Sequence, residues 1–530
     1  MEPKQILFDR QALEKVKEGI DGVANAVKVT LGYGGRTVII SEPGLPSKTT
    51  KDGTSVANKI SFRDEVKDAG AKIAKEISAK TGTDVGDGTT TVCVLLQAMI
   101  EEGMKYVSES NPVELKAGMM KAADFVVSEL DKMKKPAEGD TELLRQVATV
   151  SANNDPEIGK IVGDIFEQLG SYGVVAIEDS PNEETHIDKM NGFQFGSGWA
   201  SHYFISNIDK NTSELQNPYV LIVEGKVDKV SDIMKITNLV AVQKRAIIVI
   251  AEDFDANVIG TFLQNNQHGV LKSCCVKYNL SGNTKDDLMN DLCAITGATL
   301  VTEKLGHKLH SIDVSYLGEC EKSIVSRTEA TILKGKSNEK LLQSRIEDAK
   351  LKVAEAKHPA IKELMLRRLA KLQGGIAICY VGGMTELERD EKRDRIEDSI
   401  KATKAALEEG VLPGGGASLM KCAEKMKNLM GRTQHEDAGI HIVRNALDAP
   451  ATMIVVNTIG GQGKNISHEI KNSATEIGFN AKTAVVEDLF SAGIIDPAKV
   501  VRLCVQNAVS GAIQFLNSSV VIVHDKSTNQ

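Results

Sequence analysis

The segment VGDGTTT at residues 85–91 constrains this chain more than any other. It lies between two runs with helical periodicity, residues 67–78 and 91–103. Its glycines let the backbone approach a ligand closely, and the N–H groups at the start of the following helix favour a phosphate. Asp87 could hold Mg²⁺, which prefers one or two carboxylates together with phosphate oxygens.

The same segment also has a purely structural interpretation, an Asx-type turn followed by a threonine helix cap. For an isolated DGT that interpretation would be preferred. Three consecutive threonines, together with a second glycine-rich loop at residues 414–416, favour phosphate binding instead. The sequence contains no GxxxxGK[ST] motif, so the loop is not of the Walker A type.

Length, charge and cysteine usage limit the class of protein. A chain of 530 residues is expected to form several domains, and the net charge of −8 argues against a nucleic-acid binder. None of the eight cysteines forms a CxxC motif, so buried, reduced thiols are expected. No apolar run is long enough to span a membrane, and MEPKQILFDR at the start has no signal-peptide pattern, which predicts a cytoplasmic protein.

Hydrophobic periodicity divides the chain into helical ends and an α/β centre. Residues 10–29, 386–409 and 498–516 show helical patterns, and Pro359 should break the charged helical run 338–372 into a hairpin. The apolar run 246–251 leads into an amphipathic helix at 254–265, which indicates β–α alternation. Further strands are expected at residues 5–8, 37–41, 174–178, 219–223, 270–277 and 519–524. Because the phosphate-type loops lie only in the helical ends, both termini should form one domain into which the α/β part is inserted.

Motifs along nearly the whole chain resemble the chaperonin family, specifically a divergent member of the group I bacterial and organellar type. The matching segments, in order, are TKDG at 50–53, GDGTTT at 86–91, SANND at 151–155, NGFQF at 191–195, SHYFI at 201–205, RIED at 395–398, GGG at 414–416 and DP at 496–497. The resemblance implies a multidomain chaperonin fold that combines α+β and α/β parts. Its domains would be an all-helical equatorial ATP-binding domain (1–134 and 410–530), an intermediate hinge domain (135–190 and 377–409) and an inserted α/β apical domain (191–376). Gly192 and Gly375 match the hinge positions at the apical borders.

The resemblance also implies a site for ATP and Mg²⁺. Asp87 would be the Mg²⁺ ligand, and Asp398 would orient or deprotonate the attacking water with Asp52 nearby. From the residues alone, a solvated carboxylate on a charged helix is the preferred interpretation of Asp398, and the surrounding match to the family reverses that preference. The residues expected to hold the nucleotide are Thr30, Leu31, Gly32, Lys51, Gly88, Thr89, Thr90 and Thr91 around the phosphates, and Gly415, Asn480, Ala481 and Asp496 around the base and ribose.

The implied function is an ATP-dependent chaperonin that captures non-native polypeptides on apical apolar surfaces and folds them in a ring-shaped chamber. The partners would be the polypeptide clients, identical subunits in a ring of about seven, and a separate co-chaperonin lid. An exposed apolar face suits a non-specific binder; its residues would be Trp199, Tyr203, Phe204, Met234, Ile259 and Leu263. Core packing is the alternative, above all for Ile259 and Leu263. A passive polypeptide-binding ring with little ATPase activity is the alternative function.

Overall fold

The computed structural model describes residues 4–41, 47–170, 173–180, 182–190, 192–208, 210–280, 282–356, 358–374 and 376–524. The chain forms two compact units. The terminal unit combines Met1–Glu167 with Met384–Gln530, and the central unit comprises Gln168–Gly383. Both ends of the chain therefore contribute to one unit, as the sequence pattern predicts. The expected hinge glycine Gly375 lies outside the described residues.

The first segment of the terminal unit is mainly helical. Its strands are β1 (Lys4–Phe8), β2 (Val38–Ile40) and β3 (Lys48–Thr50), and its helices are α1 (Asp9–Lys28), α2 (Gly53–Asn58), α3 (Glu65–Val85), α4 (Thr89–Gly103), α5 (Pro112–Met133), α6 (Thr141–Ser151) and α7 (Pro156–Leu169). The predicted apolar stripe of α1, which includes Leu13, Ile20 and Val27, is buried. Helices α1 and α3 pack closely, since a Cβ added at Gly70 would lie 1.9 Å from the carbonyl oxygen of Val16.

The central unit alternates strands and helices. Its strands are β4 (Val174–Asp179), β5 (His186–Met190), β6 (Gly192–Phe195), β7 (Gly198–Trp199), β8 (Ser213–Gln216), β9 (Tyr219–Ile222), β10 (Lys226–Val227), β11 (Ile247–Ala251), β12 (Asp253–Phe254), β13 (Ser273–Lys277), β14 (Gly318–Val325), β15 (Ala330–Gly335) and β16 (Ile376–Val381). Its helices are α8 (Val230–Val242), α9 (Ala256–Gln267), α10 (Gly282–Thr296), α11 (Glu339–Glu355) and α12 (Pro359–Gly374). Pro359 opens α12, so the helical run is broken where predicted.

The strands of the central unit form two main sheets in the described part of the chain. An eight-stranded sheet has the order β6-β15-β14-β9-β11-β13-β7, with β8 also paired to β14. Strand β11 is parallel to both β9 and β13 and fully buried, which accounts for its continuous apolar run. A smaller sheet places β16 between β4 and β5. This arrangement confirms the predicted α/β character of the centre.

The second segment of the terminal unit completes the helical part. Its helices are α13 (Glu386–Glu409), α14 (Ala417–Lys425), α15 (Gln434–Ala446), α16 (Ala449–Ile459), α17 (Lys464–Asn472) and α18 (Ala498–Leu516), and its strands are β17 (Val411–Pro413), β18 (Ile477–Asn480), β19 (Val485–Asp488), β20 (Ile495–Pro497) and β21 (Val520–His524). Strands β1 and β21 pair antiparallel, from Lys4 opposite His524 to Phe8 opposite Val520. The two ends of the chain are thereby joined.

The predicted three-domain division stays a prediction. Helices α6 and α13 of the expected intermediate domain belong to the terminal unit, whereas its strands β4, β5 and β16 belong to the central unit. All eight cysteines are buried, as expected. Among the described residues, no helix has both the length and the apolar character needed to cross a bilayer.

Candidate active site

A cavity of about 610 Å³ lies in the terminal unit and is lined by residues distant in sequence. It brings together every residue predicted to bind the nucleotide, to hold Mg²⁺ or to act on water. These are Thr30, Leu31, Gly32, Lys51, Asp52, Asp87, Gly88, Thr89, Thr90, Thr91, Asp398, Gly415, Asn480, Ala481 and Asp496. The cavity is therefore assembled from both segments of the terminal unit.

The loop between α3 and α4 forms one wall of the cavity. Helix α3 ends at Gly86 and α4 is preceded by Gly88, and both glycines have positive φ, +71° and +78°. A Cβ at residue 88 would lie 2.4 Å from Cys504 Sγ, so the position has no room for a side chain. No side chain among the described residues caps the first turn of α4. Its N–H groups are thus available to an anion, in the arrangement that suits a phosphate.

Asp87 sits at the turn of this loop and its carboxylate is held at both oxygens. The backbone N–H of Gly88 donates to Oδ1 at 2.5 Å, and the hydroxyl of Ser151 donates to Oδ2 at 3.1 Å. Burial raises the pKa of Asp87, and repulsion by Asp52 adds to this, while the two hydrogen bonds act in the opposite direction. A cation bound here would relieve the cost of burying this negative charge.

Asp52 is fixed at the start of α2. Its carboxylate accepts hydrogen bonds from the backbone N–H groups of Thr54 and Ser55 at 3.1 and 2.7 Å. Its own N–H donates to Thr50 Oγ1 at 3.0 Å. This is the geometry of a helix N-cap, so the structural role is real, and the same carboxylate also lines the cavity.

Asp398 enters the cavity from α13. This helix begins after Thr385, whose hydroxyl caps it, and ends at Gly410 with positive φ. Asp398 is partly buried, whereas its neighbour Glu397 is exposed. Burial raises the pKa of Asp398 to about 8, and repulsion from Asp52 and Asp87 contributes. Asp398 therefore lies in a partly buried environment, which does not fit the alternative interpretation of a solvated carboxylate.

Asp496 and Asn480 form another part of the cavity lining. Asp496 on β20 pairs with Leu412 on β17 and accepts hydrogen bonds from the N–H groups of Gly415 and Gly416. Burial, followed by repulsion from Asp87, raises its pKa to about 7. The amide of Asn480 bonds Glu487 and the N–H of Lys482, so its side chain shapes the β18–β19 hairpin turn.

Several residues that line the cavity have no function predicted from the sequence. Ser151 ends α6, and Asn153 and Asn154 follow it with positive φ of +58° and +63°. Apolar side chains of Phe479 and Ile494 also line the cavity. The family-like segment SANND contains the first three of these residues, but nothing local in the sequence shows that Ser151 bonds Asp87, 64 positions away.

The profile of the TCP-1/cpn60 chaperonin family matches residues 23–526. The chain belongs to this family. Two crystal structures of the chaperonin gp146 from the bacteriophage EL 2 (Pseudomonas aeruginosa), both obtained in the presence of ATP-BeFx, resemble this chaperonin in fold. Crystal form II has a TM-score of 0.75 at 21% identity over 98% of this chain and 99% of that chain. Crystal form I has a TM-score of 0.69 at 22% identity, again over 98% and 99%.

Family membership confirms the predicted recognition, the chaperonin fold and the class of function. The chain is an ATP-dependent chaperonin, and a passive polypeptide-binding ring is not favoured. At about one-fifth identity, the likeness to the phage structures concerns the fold alone.

The donor groups of the chaperonin cavity fit a magnesium–nucleotide complex better than a metal alone. Among the described residues, no group of three or more His, Cys, Asp or Glu side chains is arranged to hold a metal ion. Mg²⁺ does not need such a group when phosphate oxygens and waters complete its shell. The carboxylate of Asp87, next to a helix N-terminus open to phosphate, is a donor of the kind expected for that mode.

The apolar residues predicted to capture polypeptides differ in exposure in this chaperonin. Tyr203 is 72% exposed and Met234 is 53% exposed, so both are available to a partner. Phe204 is only 3% exposed and belongs to the core of the central unit, which corrects its assignment to a capture face. The remaining three, Trp199, Ile259 and Leu263, are half-buried against that core.

Proposed function

We propose that this chaperonin binds ATP with Mg²⁺ in the cavity of the terminal unit and hydrolyses it to drive polypeptide folding. The observation that carries the proposal is the convergence of three carboxylates, Asp52, Asp87 and Asp398, on a helix N-terminus suited to phosphate. These carboxylates come from three separate elements. Crowding them without a cation is unfavourable, as the raised pKa values of Asp87 and Asp398 indicate.

The phosphates would lie at the α3–α4 loop. The N–H groups and hydroxyls of residues 88–91 would receive them, together with Thr30, Leu31, Gly32 and Lys51, which line the same cavity. The loop that carries Leu31 is held in place, because Asn457 donates to the carbonyl oxygens of Lys28 and Leu31 at 3.0 and 2.9 Å. A positioned lysine and backbone donors supply the positioning and charge neutralisation that phosphoryl transfer requires.

Asp87 would hold Mg²⁺, and the bound ion would neutralise part of the phosphate charge. The chain's own contribution to hydrolysis is then the orientation and deprotonation of water. Asp398 is the residue we assign to this step, because it lines the cavity and its raised pKa makes the carboxylate form a stronger base than an ordinary aspartate. Asp52, fixed by two backbone N–H groups, would orient the same water.

The base and ribose would occupy the part of the cavity lined by Asp496 and Asn480. Phe479 and Ile494 offer apolar surface there, and Gly415, Asn480, Ala481 and Asp496 provide polar groups. A positive φ of +58° at Gly415 lets its backbone N–H turn toward Asp496. The related phage chaperonin was crystallised in the presence of ATP-BeFx, which supports a nucleotide as the ligand.

Polypeptide capture would belong to the central unit. Tyr203 and Met234 are the exposed members of the predicted face and would contact non-native clients. Thr237, on the same helix as Met234, is 8% exposed and donates to the carbonyl oxygen of Ile233 at 2.9 Å. Its hydroxyl is therefore satisfied inside α8 and does not weaken the apolar surface. We further propose a cytoplasmic ring of about seven identical subunits, with a co-chaperonin lid as an additional partner.

The proposal is tested by steady-state hydrolysis of Mg²⁺-ATP with and without an unfolded client. Asp398→Ala should bind ATP as the wild type does but lose turnover by about 10²–10⁴-fold, the usual contribution of a general base. Glu397→Ala removes a carboxylate from the exposed neighbour on the same helix and should keep the wild-type rate. Equal rates in the two variants would remove Asp398 from the reaction, and absence of turnover in the wild type would refute the ATPase.

A further inference from the structure

We propose that Ser151 is a positioning residue for this ATPase, holding the Asp87 carboxylate in the orientation that receives the Mg²⁺ of the nucleotide complex. The proposal rests on the proposed function, since it concerns the same cavity. It extends that function by linking the Mg²⁺ ligand to the helix pair that carries Asp398.

The hydrogen bond of Ser151 is directed away from its own helix. A serine or threonine near a helix end commonly bonds a carbonyl oxygen one turn earlier. Thr149, two residues before, does this with the carbonyl oxygen of Arg145 at 2.7 Å. Ser151 instead donates to Asp87 Oδ2 at 3.1 Å across 64 positions of sequence. A hydroxyl used in this way orients the distant carboxylate and contributes nothing to its own helix turn.

The second oxygen of Asp87 is also occupied, so the carboxylate has a defined rotation. Gly88 N–H donates to Oδ1 at 2.5 Å from within the loop. Loss of the Ser151 contact would leave this single hydrogen bond from the adjacent residue, about which the carboxylate can still rotate. Asp87 itself lines the cavity, as do Asp52, Asp398 and Asp496.

Ser151 is carried by the same packed helix pair as Asp398. Ser399 on α13 is fully buried and donates to the carbonyl oxygen of Ala148 on α6 at 2.9 Å. Arg395, one turn before Asp398 on α13, pairs with Asp155 just beyond Ser151 at 3.3 Å. Any displacement of α13 that withdraws Asp398 from the cavity would therefore also withdraw Ser151 from Asp87.

Helix α13 packs tightly against the loop between α3 and α4. A Cβ at Gly86 would lie 2.5 Å from Cβ of Lys401, one turn after Asp398. The loop and the helix are thus in direct contact next to Asp87. The position of α13 therefore bears on both the carboxylate assigned to water and the hydroxyl that orients the Mg²⁺ ligand.

The decisive measurement is the affinity for ADP with and without Mg²⁺, by titration calorimetry at one pH. Ser151→Ala should leave the Mg²⁺-free affinity unchanged and reduce the gain in affinity that Mg²⁺ provides by roughly tenfold, as expected for one hydrogen bond to a charged group. Ser151→Thr keeps the hydroxyl and should restore the gain. Ser128→Ala, an exposed serine on α5, is the matched control and should behave as wild type.

Two further readouts separate positioning from a general structural role. With ATP, Ser151→Ala should lower kcat and raise the Mg²⁺ concentration needed for half-maximal turnover. Ser399→Ala removes the bond between the two helices without touching the cavity lining, and should reduce the Mg²⁺-dependent gain in the same direction.

Other outcomes would overturn the inference. Equal loss of ADP affinity with and without Mg²⁺ would assign Ser151 a structural role, and an unchanged Mg²⁺-dependent gain in Ser151→Ala would remove it from the site. A wild type that binds no ADP would refute both the proposed function and this inference. A wild type that binds Mg²⁺-ADP without hydrolysing ATP would refute the ATPase alone, and the ADP titrations would still decide the role of Ser151.

Discussion

At the scale of single residues, the cavity concentrates carboxyl groups that hold protons more tightly than the unfolded chain does. Burial and mutual repulsion raise the pKa of Asp398 to about 8 and that of Asp496 to about 7. Between about pH 4 and pH 8 these two carboxyls therefore bind more protons in the folded, nucleotide-free protein than in the unfolded chain. Their contribution to the free energy of unfolding should fall as the pH rises through this range.

Replacing Asp398 by Asn tests this dependence. Because the amide carries no charge, Asp398→Asn should stabilise the nucleotide-free protein at pH 8.5 by on the order of 1–3 kcal/mol, which raises its melting temperature by a few degrees. At pH 5 the melting temperature should change little. Scanning calorimetry at both pH values measures the difference. Glu397→Gln should show no such pH dependence, and an equal shift of Asp398→Asn at both pH values would contradict the argument.

Individual roles were predictable where a residue type is demanded by chemistry and unpredictable where packing decides. Asp87 and the glycines beside it could be named from the residues, because phosphate and Mg²⁺ require such groups near a helix start. Asp52, Asp398 and Asp496 could be named only through the resemblance to the chaperonin family. Phe204 looked like its neighbour Tyr203, yet it turns into the core. Ser151 was part of a recognised segment without a role, since its partner becomes a neighbour only through the tertiary fold.

At the scale of elements, the crossing of α1 and α3 depends on two glycines. A Cβ at Gly19 would lie 1.8 Å from the carbonyl oxygen of Lys67, and one at Gly70 would lie 1.9 Å from that of Val16. Gly70→Ala should force the helices apart and destabilise the protein by about 1–3 kcal/mol. Gly260→Ala, in α9 with open space around it, should be neutral or stabilising. Urea denaturation distinguishes the two, and a neutral Gly70→Ala would argue against the close crossing.

The helical hairpin α11–α12 is joined to α10 by a buried ionic cluster. Asp291, only 1% exposed, accepts from Arg345 Nε at 2.8 Å and from Arg368 Nε at 2.7 Å. Asp291→Ala would remove the most deeply buried counter-ion of both arginines, which would keep only Asp287 and Asp348, and should cost about 3 kcal/mol.

The partly exposed Asp348 provides the control for this cluster. It also pairs with Arg368, at 3.2 Å, but at the rim of the same network. Asp348→Ala should therefore cost less than about 1 kcal/mol. Urea denaturation of both variants measures the contrast, and similar losses in the two would show that burial does not determine the strength of the network.

Long helices with clear flanking residues could be predicted from the sequence. Very short strands, which form only by pairing with another strand, could not. Helices α13 and α18 begin and end where their periodicity and flanking residues place them. Strands β7, β10 and β12 contain two residues each and exist only because another strand lies beside them. A two-residue strand has no periodicity of its own to read.

At the scale of the whole molecule, ATP turnover and polypeptide capture are assigned to different units. The cavity is formed wholly by the terminal unit, whereas Tyr203 and Met234 belong to the central unit. The chain passes between the two units twice, after Glu167 and after Gly383. A substitution in one unit should therefore impair either ATP turnover or polypeptide capture while it leaves the other activity in place.

Met234→Glu is the variant that tests this separation. Placing a charge on the exposed apolar side chain should weaken binding of an unfolded polypeptide by roughly tenfold, because the partner would have to cover a carboxylate instead of a thioether. Basal hydrolysis of ATP should persist, while its change on adding client should shrink. Fluorescence anisotropy with labelled, reduced and alkylated lactalbumin measures binding, and phosphate release measures turnover.

Asp398→Ala provides the complementary test. That variant should bind the same client normally in the absence of nucleotide and lack turnover with or without it. Ile361→Glu, at another exposed apolar position of the central unit, controls for the added charge and should bind client as the wild type does. If Ile361→Glu weakened capture as much as Met234→Glu, the client would be recognised by apolar surface in general and not by the predicted face. If Met234→Glu abolished basal turnover, the two units would act as one cooperative site, and polypeptide capture would be a condition for hydrolysis.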